Sequence, residues 1–407
     1  MKTGSQVLRL GKKHRWLILL LLVLSILVGY LARMSVSIAL PFVSQDYGWT
    51  TAEKGTLGGI LMGIFLVSYG FSNIFFSPFI DIYGPKKMLT IALATWSGAL
   101  VLGAYFGQIY WVFLLSRVLL GLGQGVLFPC ASKVTGAWFS PEERGRANSL
   151  YMSGGPIGVM LAPLIMTPII LGTSWEMSFY FVAALGFALA LPVFLLIEGT
   201  PSDEYPKEKR SSPDIKGDLK ELISDRQFQL LLFGFTALTT VWWGMSLWIP
   251  TYLVEARGLP IDEMSFGASF PYVGAILGMY LGSWISDKTG QRRWIIILAL
   301  LMNAALLFAL TILEIQSLTV AIILLFFAFF GGQMAPPLCF TVLQSKVSGK
   351  TLGSATGIMN GLGNGIGVLG PITVGLVVAF TGSYDLGLLS LALISILGIL
   401  LFYRYEG

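Results

Sequence analysis

Two arginines, Arg33 and Arg117, stand inside long apolar stretches of this 407-residue chain. Arg33 lies about 10 residues from the end of its stretch and Arg117 about 8, which a helical rise converts to roughly 15 Å and 12 Å of depth. Neither side chain reaches water easily over that distance, and a guanidinium so placed costs at least about 3 kcal/mol on insertion scales. All 21 Asp and Glu fall in loops, tails or the ends of stretches. No carboxylate is left at similar depth to neutralise the two cations. A guanidinium binds a carboxylate or phosphate through two parallel hydrogen bonds, so an anionic substrate is the missing partner. The alternative is that each arginine ties down backbone carbonyls or a carboxylate partner.

Aromatic and amide side chains complete a candidate substrate site. Tyr30 is one turn from Arg33, Tyr69 lies in the second apolar stretch, Gln124 is two turns beyond Arg117, and Tyr151 follows in the fifth. From the second half of the chain come Trp242, Trp243 and Ser246, then Gln333, then Asn360 and Asn364 one turn apart. Two amides on one helix face seek polar partners, whereas a lone membrane Trp or Tyr is as readily packing filler. Lys133, near the end of its stretch, is expected to cap carbonyls or pair with Glu142 and Glu143. Enzyme chemistry and metal binding find no support: there is one histidine, His14, and the two cysteines, Cys130 and Cys339, are isolated in apolar runs where they serve as small filler. No cofactor is expected. A buried Asp, Glu or His, the usual proton carrier of a pump, is missing at mid-depth. Anion exchange, sodium coupling through oxygen ligands, and a proton carried with the substrate or through Asp81 all stay open.

The elements that must position these residues are apolar runs of about 20 residues or more, long enough to cross a bilayer as helix. Twelve occur, at 16–43, 55–82, 87–106, 108–134, 146–170, 174–197, 228–254, 265–286, 294–313, 317–344, 352–380 and 384–403. The first is too long for the apolar part of a secretion signal and continues through an arginine, so no cleaved leader is expected. Glycines, among them Gly121, Gly123 and Gly125 and the set from Gly357 to Gly367, allow close helix approach. One short segment is repeated. Asp81, Gly84 and Lys87 recur as Asp287, Gly290 and Arg293 at a constant offset of 206, half the chain. Duplicated membrane halves place a transporter's site at the seam between repeats.

The predicted fold is therefore an all-α membrane protein of 12 transmembrane helices in two pseudo-symmetric six-helix bundles. Residues 1–197 form one bundle and 228–407 the other, joined by a cytoplasmic linker at 198–227. Ile215, Leu219, Leu222 and Ile223 give 213–226 the spacing of a short amphipathic helix on the membrane surface. With the N-terminus inside, 21 of the 26 Lys and Arg fall on the cytoplasmic side. That bias places both termini and the linker in the cytoplasm and explains the net charge of +5 without nucleic-acid binding.

The doubled Asp-x-x-Gly-x-Lys/Arg-Lys/Arg segment and the six-plus-six layout resemble the major facilitator superfamily over the whole chain. The resemblance implies that Asp81, Gly84, Lys87, Asp287, Gly290 and Arg293 form a conformational latch between halves and bind no substrate. Within that superfamily, Tyr30-Leu-Ala-Arg33-Met-Ser-Val-Ser-Ile-Ala-Leu-Pro41, Tyr69-Gly-Phe-Ser-Asn73, Gln124-Gly125, Trp138-Phe139 and Glu143-Arg144-Gly145 resemble the organophosphate:phosphate antiporters. That likeness implies a substrate role for Arg33. The group's seventh-helix arginine is replaced by Trp242 or Trp243, its lysine by Asn73, and its histidine falls near Gly155. The same segments resemble the anion:cation symporters of sugar acids and other carboxylates, which implies substrate roles for Arg117 and for Asn360 or Asn364. The coupling acids of that group are Ala32 and Gln124 here. The chain thus keeps the anion-binding basics, and carboxylate is favoured over phosphate.

The reading that combines these observations is alternating-access transport of a small organic anion across the plasma membrane by a monomer, with or without a co-transported or exchanged ion. Organophosphate/phosphate antiport, efflux of drugs or neutral solutes, and a metabolite sensor on a transporter fold are the alternatives. Reporter fusions test the orientation. Those joined after Arg210 and Arg404 are expected to report from the cytoplasm, those at Trp49 and Arg257 from outside, and a periplasm-active phosphatase at Arg210 would overturn it.

Overall fold

The computed structural model describes residues 4–76, 79–139, 141–197, 223–312, 317–346 and 352–405. Among these described residues, twelve helices are long and apolar enough to cross a membrane: α1 (His14–Asp46), α2 (Thr51–Phe75), α3 (Pro85–Phe106), α4 (Tyr110–Thr135), α5 (Leu150–Gly172), α6 (Trp175–Leu196), α7 (Arg226–Glu255), α8 (Ile261–Thr289), α9 (Arg292–Ile312), α10 (Leu318–Leu343), α11 (Ala355–Thr381) and α12 (Tyr384–Arg404). Each coincides with one of the apolar runs. The helices begin where local chemistry permits. Thr50 and Glu53 form a reciprocal capping box at the start of α2. The carboxylate of Asp225 accepts from the Phe228 amide at 2.9 Å to open α7.

Three details differ from the sequence expectations. The second run stops at Phe75, and a separate short helix, Phe79–Tyr83, precedes Gly84. Gly84 has φ of +81° and Gly290 has φ of +70°, a backbone region open to glycine, which explains why this residue is shared by both copies of the repeat. Helix α4 is interrupted at Gly125–Val126, between Tyr110–Gln124 and Leu127–Trp138. The amphipathic helix expected over 213–226 lies outside the described residues up to 222. It does not run through to 226, because Asp225 is extended (ψ 121°) and serves as the cap of α7.

Packing repeats between the halves. In the first, α1 lies on α5, α2 on α4, and α3 on α6; in the second, α7 lies on α11, α8 on α10, and α9 on α12. Glycines set the closest approaches. A Cβ added at Gly121 would stand 2.3 Å from the Phe65 carbonyl oxygen of α2, and one at Gly278 would stand 1.9 Å from the Phe330 carbonyl oxygen of α10. The seam between halves is built from α2 against α11, α5 against α8, and α1 against α7. These contacts follow the same pseudo-two-fold exchange, as a self-complementary interface requires.

The seam is tightest at the end carrying the α1–α2 and α7–α8 connections. Gly55 and Gly375 meet there backbone to backbone. Gly55 lies in a π-helical turn, Lys54–Gly58, whose first residue is 8 % exposed and pairs with Glu255 of α7 at 2.7 Å. Ser37 of α1 donates to the Leu247 carbonyl of α7. Toward the other end α2 and α11 still meet, Gly70 against Gly361 and Gly365, while the basic side chains there bond within their own halves. Lys133 donates to the Ile80 carbonyl at 2.9 Å, the capping role expected of it. Arg293 donates from Nε to the Phe402 carbonyl at 3.0 Å and from Nη2 to the Tyr403 carbonyl, both on α12 of its own half. Lys87 and Asp287 are exposed, and the side chain of Asp81 falls outside the described part.

Gly278→Val is expected to lower the thermal midpoint of the detergent-solubilised protein through overpacking worth about 1–3 kcal/mol. Gly98→Ala, at a site with no atom within 4 Å of the added carbon, should leave it unchanged.

Candidate functional site

Helical spacing brings the site residues of the first half together. Tyr30 and Arg33 share a face of α1, Phe65 and Tyr69 a face of α2, and Arg117 and Gln124 stand two turns apart on α4. Arg33 is 1 % exposed. Its Nε donates to Gln124 Oε1 at 2.6 Å. The Gln124 amide nitrogen donates in turn to the Gly29 carbonyl at 2.9 Å, so the amide oxygen is the atom that must face the guanidinium. Aromatic rings enclose the rest. The guanidinium carbon lies 4.3 Å from the Tyr30 ring centre, 4.5 Å from Tyr69, 6.0 Å from Phe65 and 5.9 Å from Trp243 of the opposite half. Such faces attract a cation without neutralising it. Nη2 of Arg33 is buried and has no hydrogen-bond partner.

Arg117, equally buried, is placed differently. Nη1 donates to the Ala32 carbonyl at 3.3 Å, and Nη2 to the Arg33 carbonyl at 3.1 Å. Ser35 Oγ is a longer contact at 3.5 Å. This guanidinium clasps the backbone of α1 from behind, at the residue whose side chain faces the seam. Carbonyl tethering, the alternative weighed for both arginines, describes Arg117, and its route to a substrate runs through the placement of Arg33.

Across the seam, the indole nitrogen of Trp243 donates to Asn364 Oδ1 at 2.8 Å. Asn364 Nδ2 donates to both the backbone and side-chain oxygens of Asn360 at 2.9 Å. The ring of Trp243 meets Phe65 edge-on at 5.6 Å, so the two halves join at this pair beside Arg33. The structure therefore assembles Tyr30, Arg33, Tyr69 and Gln124 with Trp243, Asn360 and Asn364. It sets three other expected residues apart. Trp242 and Gln333 line a cavity of about 10 Å³ enclosed by α7, α9 and α10, with Asn303 and Met245. That is room for about one water molecule. Tyr151 stands behind Phe128, whose ring separates it from Tyr30.

Phe65 and Ser35 were not singled out from the sequence. Phe65 lies one turn before Tyr69 and so shares its face, a signal too common among apolar residues to stand out. Charge completes the picture. The ion pairs Lys54–Glu255 and Arg257–Asp385 sit at the end of the bundle away from the termini, and no carboxylate among the described residues reaches Arg33 or Arg117. Among the described residues no group of three His, Cys, Asp or Glu could hold a metal ion.

Comparison with known proteins gives a consistent result. The family model of the Major Facilitator Superfamily matches residues 22–371 and 262–406. The chain is similar to the hexuronate transporter of Bacillus subtilis (27 % identity, covering 92 % of this chain and 90 % of the relative). It is equally similar to a probable sulfoacetate transporter of Cupriavidus necator (27 %, covering 92 % and 90 %). A solved structure of a bacterial homologue of the human lysosomal transporter Spinster, inward-facing and occupied, superposes with a TM-score of 0.80 over 97 % of both chains at 18 % identity.

The geometry separates the two arginines in a stability measurement. Arg117→Ala removes two charged hydrogen bonds between α4 and α1 and leaves a large cavity, so a loss on the order of 3 kcal/mol is expected. Arg33→Ala removes one hydrogen bond and an unneutralised buried cation, and the thermal midpoint should fall less. Equal losses would contradict the assignment.

Proposed function

Because the chain belongs to the major facilitator superfamily, we propose that this multi-pass membrane transporter carries a small organic anion, a carboxylate in preference to a phosphate ester. The observation that carries the proposal is Arg33: a fully buried guanidinium at the seam between bundles, with an unpartnered terminal nitrogen and neutral neighbours. A substrate carboxylate supplies what the surroundings lack, a negative acceptor in the plane of the guanidinium. Gln124 holds Nε and leaves Nη2 for the ligand. Tyr30 and Tyr69 wall the anionic group, and the Trp243–Asn364–Asn360 chain offers polar atoms to the remainder. The preference for carboxylate rests on the commitment of Arg117 to α1, which leaves a single guanidinium for the anion. The relatives' names, a hexuronate transporter and a probable sulfoacetate transporter, support the same substrate class.

Transport proceeds in this proposal by alternating access in the plasma membrane, with both termini cytoplasmic and the monomer as the working unit. The two bundles rock about the seam, on which Arg33 and Trp243 lie nearly face to face. The Lys54–Glu255 pair and the Gly55–Gly375 approach hold the outer end shut in the state described. The motif copies around Gly84 and Gly290 act at the other end as the latch of the opposite state.

Thermal stability of the purified protein against sugar acids, other carboxylates, phosphate esters and neutral sugars tests this. A ligand at about 100 times its Kd stabilises by about 2.7 kcal/mol, a readable shift. Carboxylates are expected to raise the midpoint of the native protein and to lose that effect in Arg33→Ala. A carboxylate shift that survives in Arg33→Ala, or a response to neutral sugars alone, would refute the proposal.

A further inference from the structure

We propose that this carrier exchanges one anion for another and does not reorient empty; the inference rests on the anion-carrier reading above and adds the partner that drives it. The observation is the charge of the seam. Arg33 places a cation, 1 % exposed, where the halves meet, and Arg117, equally buried, stands behind it on the carbonyls of α1. The described groups facing Arg33 are neutral or positive: Tyr30 on α1, Phe65 and Tyr69 on α2, Gln124 and Arg117 on α4, and Trp243 on α7, with Asn364 of α11 behind it. Side chains of these types do not titrate near neutral pH. The single histidine, His14, lies against Trp138 with ring centres 5.4 Å apart, on the first turn of α1, far along the helix from Arg33. Glu255 and Asp385 are taken by Lys54 and Arg257. Among the described residues that face Arg33 there is no carboxylate and no imidazole to exchange a proton for its charge.

Arg33 holds substitutes for a counter-ion: an amide oxygen, aromatic faces, and nothing at Nη2. Alternating access requires the seam to close over the site from the side on which it was open. Closing it empty withdraws water from a cation and puts no negative charge in its place. Closing it around a carboxylate removes a neutral pair. An unpaired buried charge is far more costly than a paired one, so loaded carriers pass and empty ones stall. Gln124 decides the outcome. Its Oε1 stands 2.6 Å from Arg33 Nε, where a carboxylate oxygen would form an internal ion pair and let the empty carrier cross. An amide at that position gives the geometry without the charge. Net movement per cycle is one anion in and one anion out.

The full-length protein in liposomes tests this with labelled D-glucuronate outside and vesicles either empty or loaded with unlabelled D-glucuronate. Uptake is expected to be about tenfold or more faster into loaded vesicles, as an unpaired buried charge would impose. It should be indifferent to a protonophore and to imposed proton or sodium gradients. Equal uptake into empty and loaded vesicles, or gradient-driven accumulation in empty ones, overturns exchange and leaves the anion-carrier reading standing. Inertness of D-glucuronate and of every other carboxylate and phosphate ester in both kinds of vesicle removes the anion-carrier reading, and exchange with it. Gln124→Glu is expected to narrow the loaded-to-empty ratio. A ratio unchanged in a variant that still exchanges overturns the role given to Gln124.

Discussion

A guanidinium without a carboxylate, held in the middle of apolar helices, is the constraint on which the rest of this structure turns. Burial removes water from Arg33, and the surrounding protein returns only part of what is lost: one amide oxygen and the faces of several rings. Gln124 must be oriented by Gly29 to offer that oxygen, Tyr30 and Tyr69 must stand close, and α1 must present Arg33 at a fixed height. Arg117 supplies the last requirement by clasping the carbonyls of Ala32 and Arg33. One unneutralised charge thus explains the identities of residues on three helices.

The second bundle meets this charge with an indole and two amides. Trp243 is oriented by Asn364, and Asn364 by Asn360, so a chain of hydrogen bonds on α7 and α11 fixes the ring that faces Phe65 and Arg33. The halves are alike in how their helices pair and unlike in what they bring to the seam. The first contributes cations, the second neutral polar groups. Glycines let α2 and α11 approach closely along their length, from Gly55 against Gly375, at the end where Lys54 and Glu255 are opposed, to Gly70 against Gly361. Symmetric packing thus surrounds an asymmetric site.

Reading the chain residue by residue recovers the helices well because membrane burial imposes length and composition directly on sequence. The number and approximate position of the spans, the repeated Asp-x-x-Gly segment and the two deep arginines were all visible. Boundaries shifted where local chemistry competes with hydrophobicity: Asp225 caps α7 and interrupts the helix expected through it. Between neighbours of similar character, spacing was silent. Nothing in the order Trp242-Trp243 tells which indole faces the seam, because a rotation of 100° per residue sends one to Phe65 of the first half and the other to Phe329 of its own half. Gln333 and Tyr151 were equally good candidates by type and depth, yet Gln333 faces the small cavity with Trp242 and Tyr151 packs on Phe128.

Sequence alone determined that the chain spans a membrane twelve times, that its halves are related, and that two cations are buried without acids. Each follows from counting residues, because the cost of placing charge and backbone in hydrocarbon does not depend on neighbours. Tertiary structure decided which cation is free. Both arginines are alike in burial and in having no carboxylate partner among the described residues, yet Arg117 commits both terminal nitrogens to carbonyls of α1, leaving its inner Nε unpartnered, whereas Arg33 bonds through Nε and leaves the terminal Nη2 without a partner. That difference is set by the rotation and height of α4 against α1, which glycines and ring contacts fix only after the helices have packed.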